Sequence, residues 1–357
     1  MCDKKIRAFK ALTVTIGIYF LLGGQVHAYE GWNLQLEPMY MGVAGTDNHQ
    51  ANITTTTTTY SPSRSSSSTS TTTSQNFDLG GNGTFRGQLE YMPEDWGIGV
   101  SGWWFDASDS SNLNLNSSPP PSYNSPVTTS TTIYYSSNNF SFYLPPSSFD
   151  GRVLLTSANS SLGVWNVDAY GIKTLGEFQN GRINMTFGAK FGSIVNKKYE
   201  AFNQGPATNS FGYFSSEIGS ATNSADASFL VGPSIGVQGL GKYGKHRLEG
   251  FLSQSVLIGN VDYETIASRR YSYSYPSYPY PLTYSSNTNL SDSETLAIPV
   301  TEMKIKYLYD VTENLSLGLG FFGSAWIDTP TTPALYNDRQ YKTLFFYGGL
   351  GSINLRY

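Results

Sequence analysis

The chain has 357 residues, with 22 Lys and Arg against 26 Asp and Glu, a net charge of −4, and one cysteine. An acidic balance argues against nucleic acid as a partner. A single thiol excludes a disulfide framework or a thiolate metal site. Tyr, Trp and Phe make up 15% of the chain.

The first residues, MCDKKIRAFK, carry Lys4, Lys5, Arg7 and Lys10, and an apolar run follows from Ala11 to Leu22. That run is shorter than the ~20 residues a spanning helix needs. Val26-His27-Ala28 fits a signal-peptidase site, so residues 1–28 read as a secretory signal. Cys2 precedes the apolar run and cannot be a lipoprotein cysteine. Without the signal, which holds four basic residues and one acid, the balance is 18 basic against 25 acidic, or −7.

Beyond residue 28 the sequence has no run of ~18 apolar residues, and period-two segments recur instead. Ten are expected as strands: 31–44, 79–92, 96–107, 161–174, 181–194, 228–241, 246–260, 297–310, 314–327 and 341–357. Each matches the ~9–11 residues of a tilted membrane strand. The connections alternate strictly between short and long. Pro93-Glu94-Asp95, Leu175 to Asn180, Lys242 to Lys245 and Val311-Thr312-Glu313 are short. The long ones fall near 45–78, 108–160, 195–227, 261–296 and 328–340. Antiparallel neighbours need only a tight turn. Barrels of outer membranes place short turns on the periplasmic side and long loops outside, with an even strand number.

The fold expected for 29–357 is therefore all-β: a single transmembrane antiparallel up-and-down barrel of ten strands. It would lie in the outer membrane of a Gram-negative bacterium, with its loops outside. The long connections are rich in Ser, Thr, Pro and Tyr, as in "ITTTTTTYSPSRSSSSTSTTTSQ" from Ile53 to Gln75. Such tracts bury too little apolar surface to offset the cost of ordering them, and they are expected as external loops.

The final stretch, "LFFYGGLGSINLRY", alternates strictly and ends on an aromatic residue. It resembles the C-terminal signal by which the insertion machinery recognises bacterial outer-membrane barrels. Membrane interfaces concentrate aromatic rings, and Trp32, Tyr91, Trp96, Trp103, Phe191, Tyr243, Trp326 and Tyr357 are expected there, against outer-membrane lipid.

On the opposite, inward face the strands place Arg86, Gln88, Glu90, Asp168, Arg182 and Lys190. Later strands add Arg247, Glu249, Glu302, Lys304, Lys306 and Arg356. Eight strands leave room only for side chains, and ~16–18 leave an aqueous channel. Ten lie between, so these residues either line a narrow path or form an ion-pair filling.

Catalytic chemistry is sparse. Beyond the signal only His49 and His246 could act as imidazole bases. His49 lies two positions from Asp47, a placement that resembles the extracellular Asp and His of the ten-stranded omptin proteases. Their partner carboxylates, on separate strands near the outer rim, have no clear counterpart here. No phosphate loop, His pair or carboxylate cluster with metal spacing is found. Neither an enzyme nor a cofactor is expected.

The signal, "QLEYMPEDWGIGVSGWWF", "PVTEMKIKYLYDVTENLSLGLGFFGSAW" and the terminal "GSINLRY" together resemble small bacterial outer-membrane proteins. In particular they are similar to the pore-forming major outer-membrane proteins of Legionella type. That resemblance covers the strands, about half the chain, and implies passive pore activity. The expectation is narrow porin-like permeation of small polar solutes. The alternative is a non-conducting surface protein, acting in adhesion or cell-surface shielding through its loops, which would then meet a host or cell-surface ligand.

Overall fold

The structure is a computed structural model. It describes residues 31–357 except 47–48, 61–65, 78, 94, 117–127, 138–140, 145–152, 179, 209–213, 275–281 and 332–340. The expected signal at 1–28 lies outside the described residues. In chain order the strands are β1 (Trp32–Ala44), β2 (His49–Tyr60), β3 (Ser66–Asn76), β4 (Asn82–Tyr91) and β5 (Trp96–Asn116). Then come β6 (Thr128–Ser137), β7 (Ser141–Leu144), β8 (Val153–Phe178), β9 (Gly181–Thr208) and β10 (Phe214–Tyr243). The last four are β11 (His246–Ser274), β12 (Leu282–Asp310), β13 (Leu315–Pro330) and β14 (Tyr341–Arg356).

Ten of these close into an antiparallel barrel, ordered β1-β14-β13-β12-β11-β10-β9-β8-β5-β4. They are the ten expected from alternation. The seam joins the two ends of the described chain, where Trp32 and Tyr357 exchange backbone hydrogen bonds of 3.1 and 3.0 Å. Closure leaves no unpaired barrel edge, the condition for a sheet placed in hydrocarbon. The four short turns lie at one rim, called the lower rim here, and the long connections at the other.

The outer face is an apolar belt of limited height. On β11 the outward positions Leu248, Leu252, Val256 and Ile258 are exposed, and Asn260, Asp262 and Glu264 follow above them. On β12 the belt runs from Tyr309 through Tyr307, Ile305 and Met303, and gives way to Thr295, Ser293 and Ser291. This stretch of β11, from 248 to 258, is apolar outward except at Gln254 and matches the length of one bilayer crossing.

Four of the five segments expected as loops carry strands among their described residues, and 332–340 of the fifth lies outside the described residues. β8 to β12 run 26–30 residues each, and β11 pairs with β12 without interruption from His246↔Tyr309 to Tyr273↔Leu282. A register shift between Asp226 and Val231 interrupts the pairing of β10 with β11. Below it even positions of β10 face inward, and above it odd ones do. The segments near 45–78 and 108–160 contain a separate sheet, ordered β3-β2-β6-β7. Ordering these polar tracts is offset by ladder pairing and cross-strand hydroxyl contacts, which apolar periodicity does not register.

Two predicted interface aromatics are placed otherwise. Trp103 and Trp326 are 1% and 0% exposed and lie in the interior core. Trp103 shares its parity with Ser101 and Phe105, so its neighbour Trp104 is the one that faces out. Trp326 follows Phe322 and Ser324 on the inward face of β13. Room for its indole comes partly from Gly192, where an added Cβ would meet the Trp326 ring at 3.2 Å. The other six, Trp32, Tyr91, Trp96, Phe191, Tyr243 and Tyr357, occupy outward positions. Trp32 stacks against Tyr91 at 4.7 Å and Lys173 lies 4.4 Å over the Trp96 ring, both near the lower rim.

Candidate functional site: the barrel interior

Within the belt the inward side chains form two layers, and further buried polar groups, among them Ser160, Asn223 and Thr265, lie above them. The lower layer is charged. Glu302 of β12 accepts from Lys190 of β9 at 2.5 Å, and from the Trp103 indole and the Asn166 amide at 2.7 Å each. Lys190 also pairs with Asp168 at 2.7 Å. Next to this set, Glu37 of β1 is met by Arg86 at 2.7 Å, Lys306 at 3.0 Å and Lys304 at 3.1 Å. Lys306 reaches on to Glu249 at 2.9 Å, while Gln88 accepts from both Arg86 and Lys304.

Nearer the lower rim, Asp310 holds Arg356 at 2.7 Å and Arg247 at 3.0 Å. Ser316 accepts from both guanidinium groups and donates to Asp310. Glu90 accepts from Gln88, Gln238 and Tyr170. The Tyr170 ring lies over Gly99, its cross-strand neighbour, where a Cβ would meet the ring at 2.5 Å. Arg182 faces inward on β9 and lines a cavity of about 50 Å³ with Gln35, Glu90, Asn184 and Lys304.

The upper layer is apolar. Met41, Leu162, Phe322 and Trp326 are at most 1% exposed and belong to one continuous core. Trp103 contacts Phe322 and Phe346 with ring centroids 5.6 and 5.4 Å apart. Arg86 lies 6.0 Å under Phe322, where charge meets cap. Burying the ion pairs is offset only by close partners and added hydrogen bonds, and nearly every charge here has both. Above the belt, burial first and then a hydrogen bond to Glu294 push the Tyr263 phenol above its usual range. Tyr341 donates to the same carboxylate.

The twelve expected lumen residues face the interior: Asp168, Lys190 and Glu302 form one bonded set, eight others are joined to Glu37 or Asp310 in a second, and Arg182 lines the cavity beside them. The sequence reading left out Glu37, although Asn33, Gln35 and Glu37 alternate with Leu34 and Leu36. It also left out Asp310, which stands at a strand end and looks like a turn residue. Of the omptin-like pair, Asp47 lies outside the described residues, and His49 begins β2. His246 hydrogen-bonds Tyr307 on the outer surface. Among the described residues, no three His, Cys, Asp or Glu side chains are placed to hold a metal ion.

No family model and no curated protein matches the chain. Similar solved structures include the outer membrane protease OmpT from Escherichia coli, 12% identical over 91% of this chain and 97% of that one, with TM-score 0.34. The Pseudomonas putida toluene transporter TodX is 9% identical over 92% and 90%, with TM-score 0.22. A Pseudomonas aeruginosa FadL homologue is 10% identical over 92% and 90%, also with TM-score 0.22. Similarities this low say nothing of this chain's activity, and its architecture rests on its own strand pairing.

Proposed function

We propose that the protein is a non-conducting outer-membrane barrel that carries a strand-built structure on the cell surface for contact or shielding. The observation that carries this reading is the filled interior. Lys190 and Lys306 are fully buried in the charged layer, and Met41, Leu162 and Trp326 in the apolar layer above it. A solute would have to displace both layers. The outer belt, the closed sheet and the sorting of short and long connections support a membrane setting with the tall strands outside.

Porin-like permeation is the second reading, favoured by the polar cavity of about 50 Å³ beside Arg182 and Lys304. That space suits one or two waters. Liposome swelling in small sugars and amino acids separates the two. The filled barrel gives no uptake above lipid alone, and uptake graded by solute size would favour the porin reading.

A further inference from the structure

We propose that β3 is an interaction edge, pairing antiparallel with the β3 of a second copy of this chain. The proposal rests on the reading that this part of the molecule lies outside the cell. In the four-stranded sheet β3 and β7 are the edges. Edge strands are usually blunted by shortness, charge, proline or a bulge, because their free N–H and C=O groups invite another strand. β7 is blunted by its four residues. β3 is not blunted: SSSTSTTTSQN has eleven residues and no charge, Pro or Gly, and Ser67 to Ser74 are all exposed.

The sheet already contains this pairing. β2 lies between β3 and β6, so Thr56 to Thr59 are matched on both sides by Ser and Thr. Thr54 and Thr72 hydroxyls meet at 2.9 Å, Thr56 and Ser70 at 2.8 Å, and Ser74 donates to Asn52 at 2.8 Å. β3 can present the same chemistry to itself. Centred on Thr71, two antiparallel copies place Thr71 opposite Thr71, Thr69 opposite Thr73, Ser70 opposite Thr72 and Ser68 opposite Ser74. These Thr–Thr and Ser–Thr matches are those of the β2–β3 ladder, and such a self-matched contact is what a twofold interface requires.

The lack of charge selects the partner. No Asp, Glu, Lys or Arg occurs in β2, β3, β6 or β7, so like copies do not repel. Nor does the strand offer a charge or an apolar pocket by which to choose a foreign peptide. Strand addition draws affinity from backbone hydrogen bonds and specificity from side-chain pockets. Without pockets, the symmetric register favours a second copy held at high density in the same membrane or on an apposed cell.

The test uses the full chain with its one cysteine, Cys2, replaced by Ser. Thr71→Cys puts the two thiols opposite each other across the twofold, where neighbouring strands bring Cα atoms within disulfide reach. Ser67→Cys pairs with Gln75 instead, which holds its two thiols far apart. Under mild oxidation in detergent, Thr71→Cys should become a covalent dimer at least tenfold more readily than Ser67→Cys. Thr69→Lys with Thr73→Lys, set opposite each other, should abolish that dimer. Equal cross-linking at both positions, or none at Thr71→Cys, overturns the proposal. So does cross-linking to other proteins alone in whole membranes. An impermeant maleimide on intact cells reads surface placement separately, and the shifted gel mobility of the unheated barrel confirms folding of every variant.

Discussion

Trp103 and Glu302 join the two layers of the barrel: the indole N–H of a residue in the apolar cap donates at 2.7 Å to the central carboxylate of the charged layer. The two residues are 199 positions apart, on β5 and β12, which are not neighbours in the sheet. The contact therefore spans the interior, and a group so placed cannot be part of an open path.

Replacing Trp103 separates its two roles. Trp103→Phe keeps most of the packing against Phe322 and Phe346 but leaves Glu302 without one donor, and should cost ~1–3 kcal/mol. Trp103→Ala adds a cavity and should cost ~3–5 kcal/mol. Urea unfolding of the refolded barrel in detergent checks both. Equal losses for the two variants would mean that only the hydrogen bond counts.

Lys190 is the cation between Asp168 and Glu302. Lys190→Met leaves two buried carboxylates facing each other, and breaking a buried pair in this way costs ~3–5 kcal/mol. The double variant Lys190→Met with Glu302→Gln should recover part of that loss. Additive losses in the same unfolding assay would contradict the shared network.

The belt makes a position-dependent prediction along one strand. Met303 and Ser291 both face outward on β12, within the apolar band and above it. Met303→Arg should cost ~2–4 kcal/mol in bilayers, as arginine does near the midplane of a lipid-facing barrel. Ser291→Arg should change stability little. Equal effects at the two positions would argue against a membrane boundary between them.

The ten barrel strands were legible because apolar side chains outside and polar ones inside produce period two, and because turn length separates the rims. The start of β11 at His246 was readable for that reason, while its continuation to Ser274 was not. Above the belt the outward side chains are largely polar, so alternation fades although pairing persists. The shift near Asp226 adds a change of parity that no repeat anticipates. Many inward charges were legible from parity, but Glu37, which three cations meet, and Asp310 at its strand end were not. Nor was the apolar cap, since inward Phe322 and Trp326 and outward Phe321 leave no polar face to alternate with. Adjacent Trp103 and Trp104 were interchangeable by type, and only the parity shared with Ser101 and Phe105 separates them.

Single-channel recording of the refolded protein in a planar bilayer decides whether the interior is filled. A filled barrel that is folded and inserted shows no conductance steps above the bare membrane. Stable steps whose ion selectivity changes with Lys304→Glu would contradict a filled interior, and would show that both layers part to leave a path past Lys304.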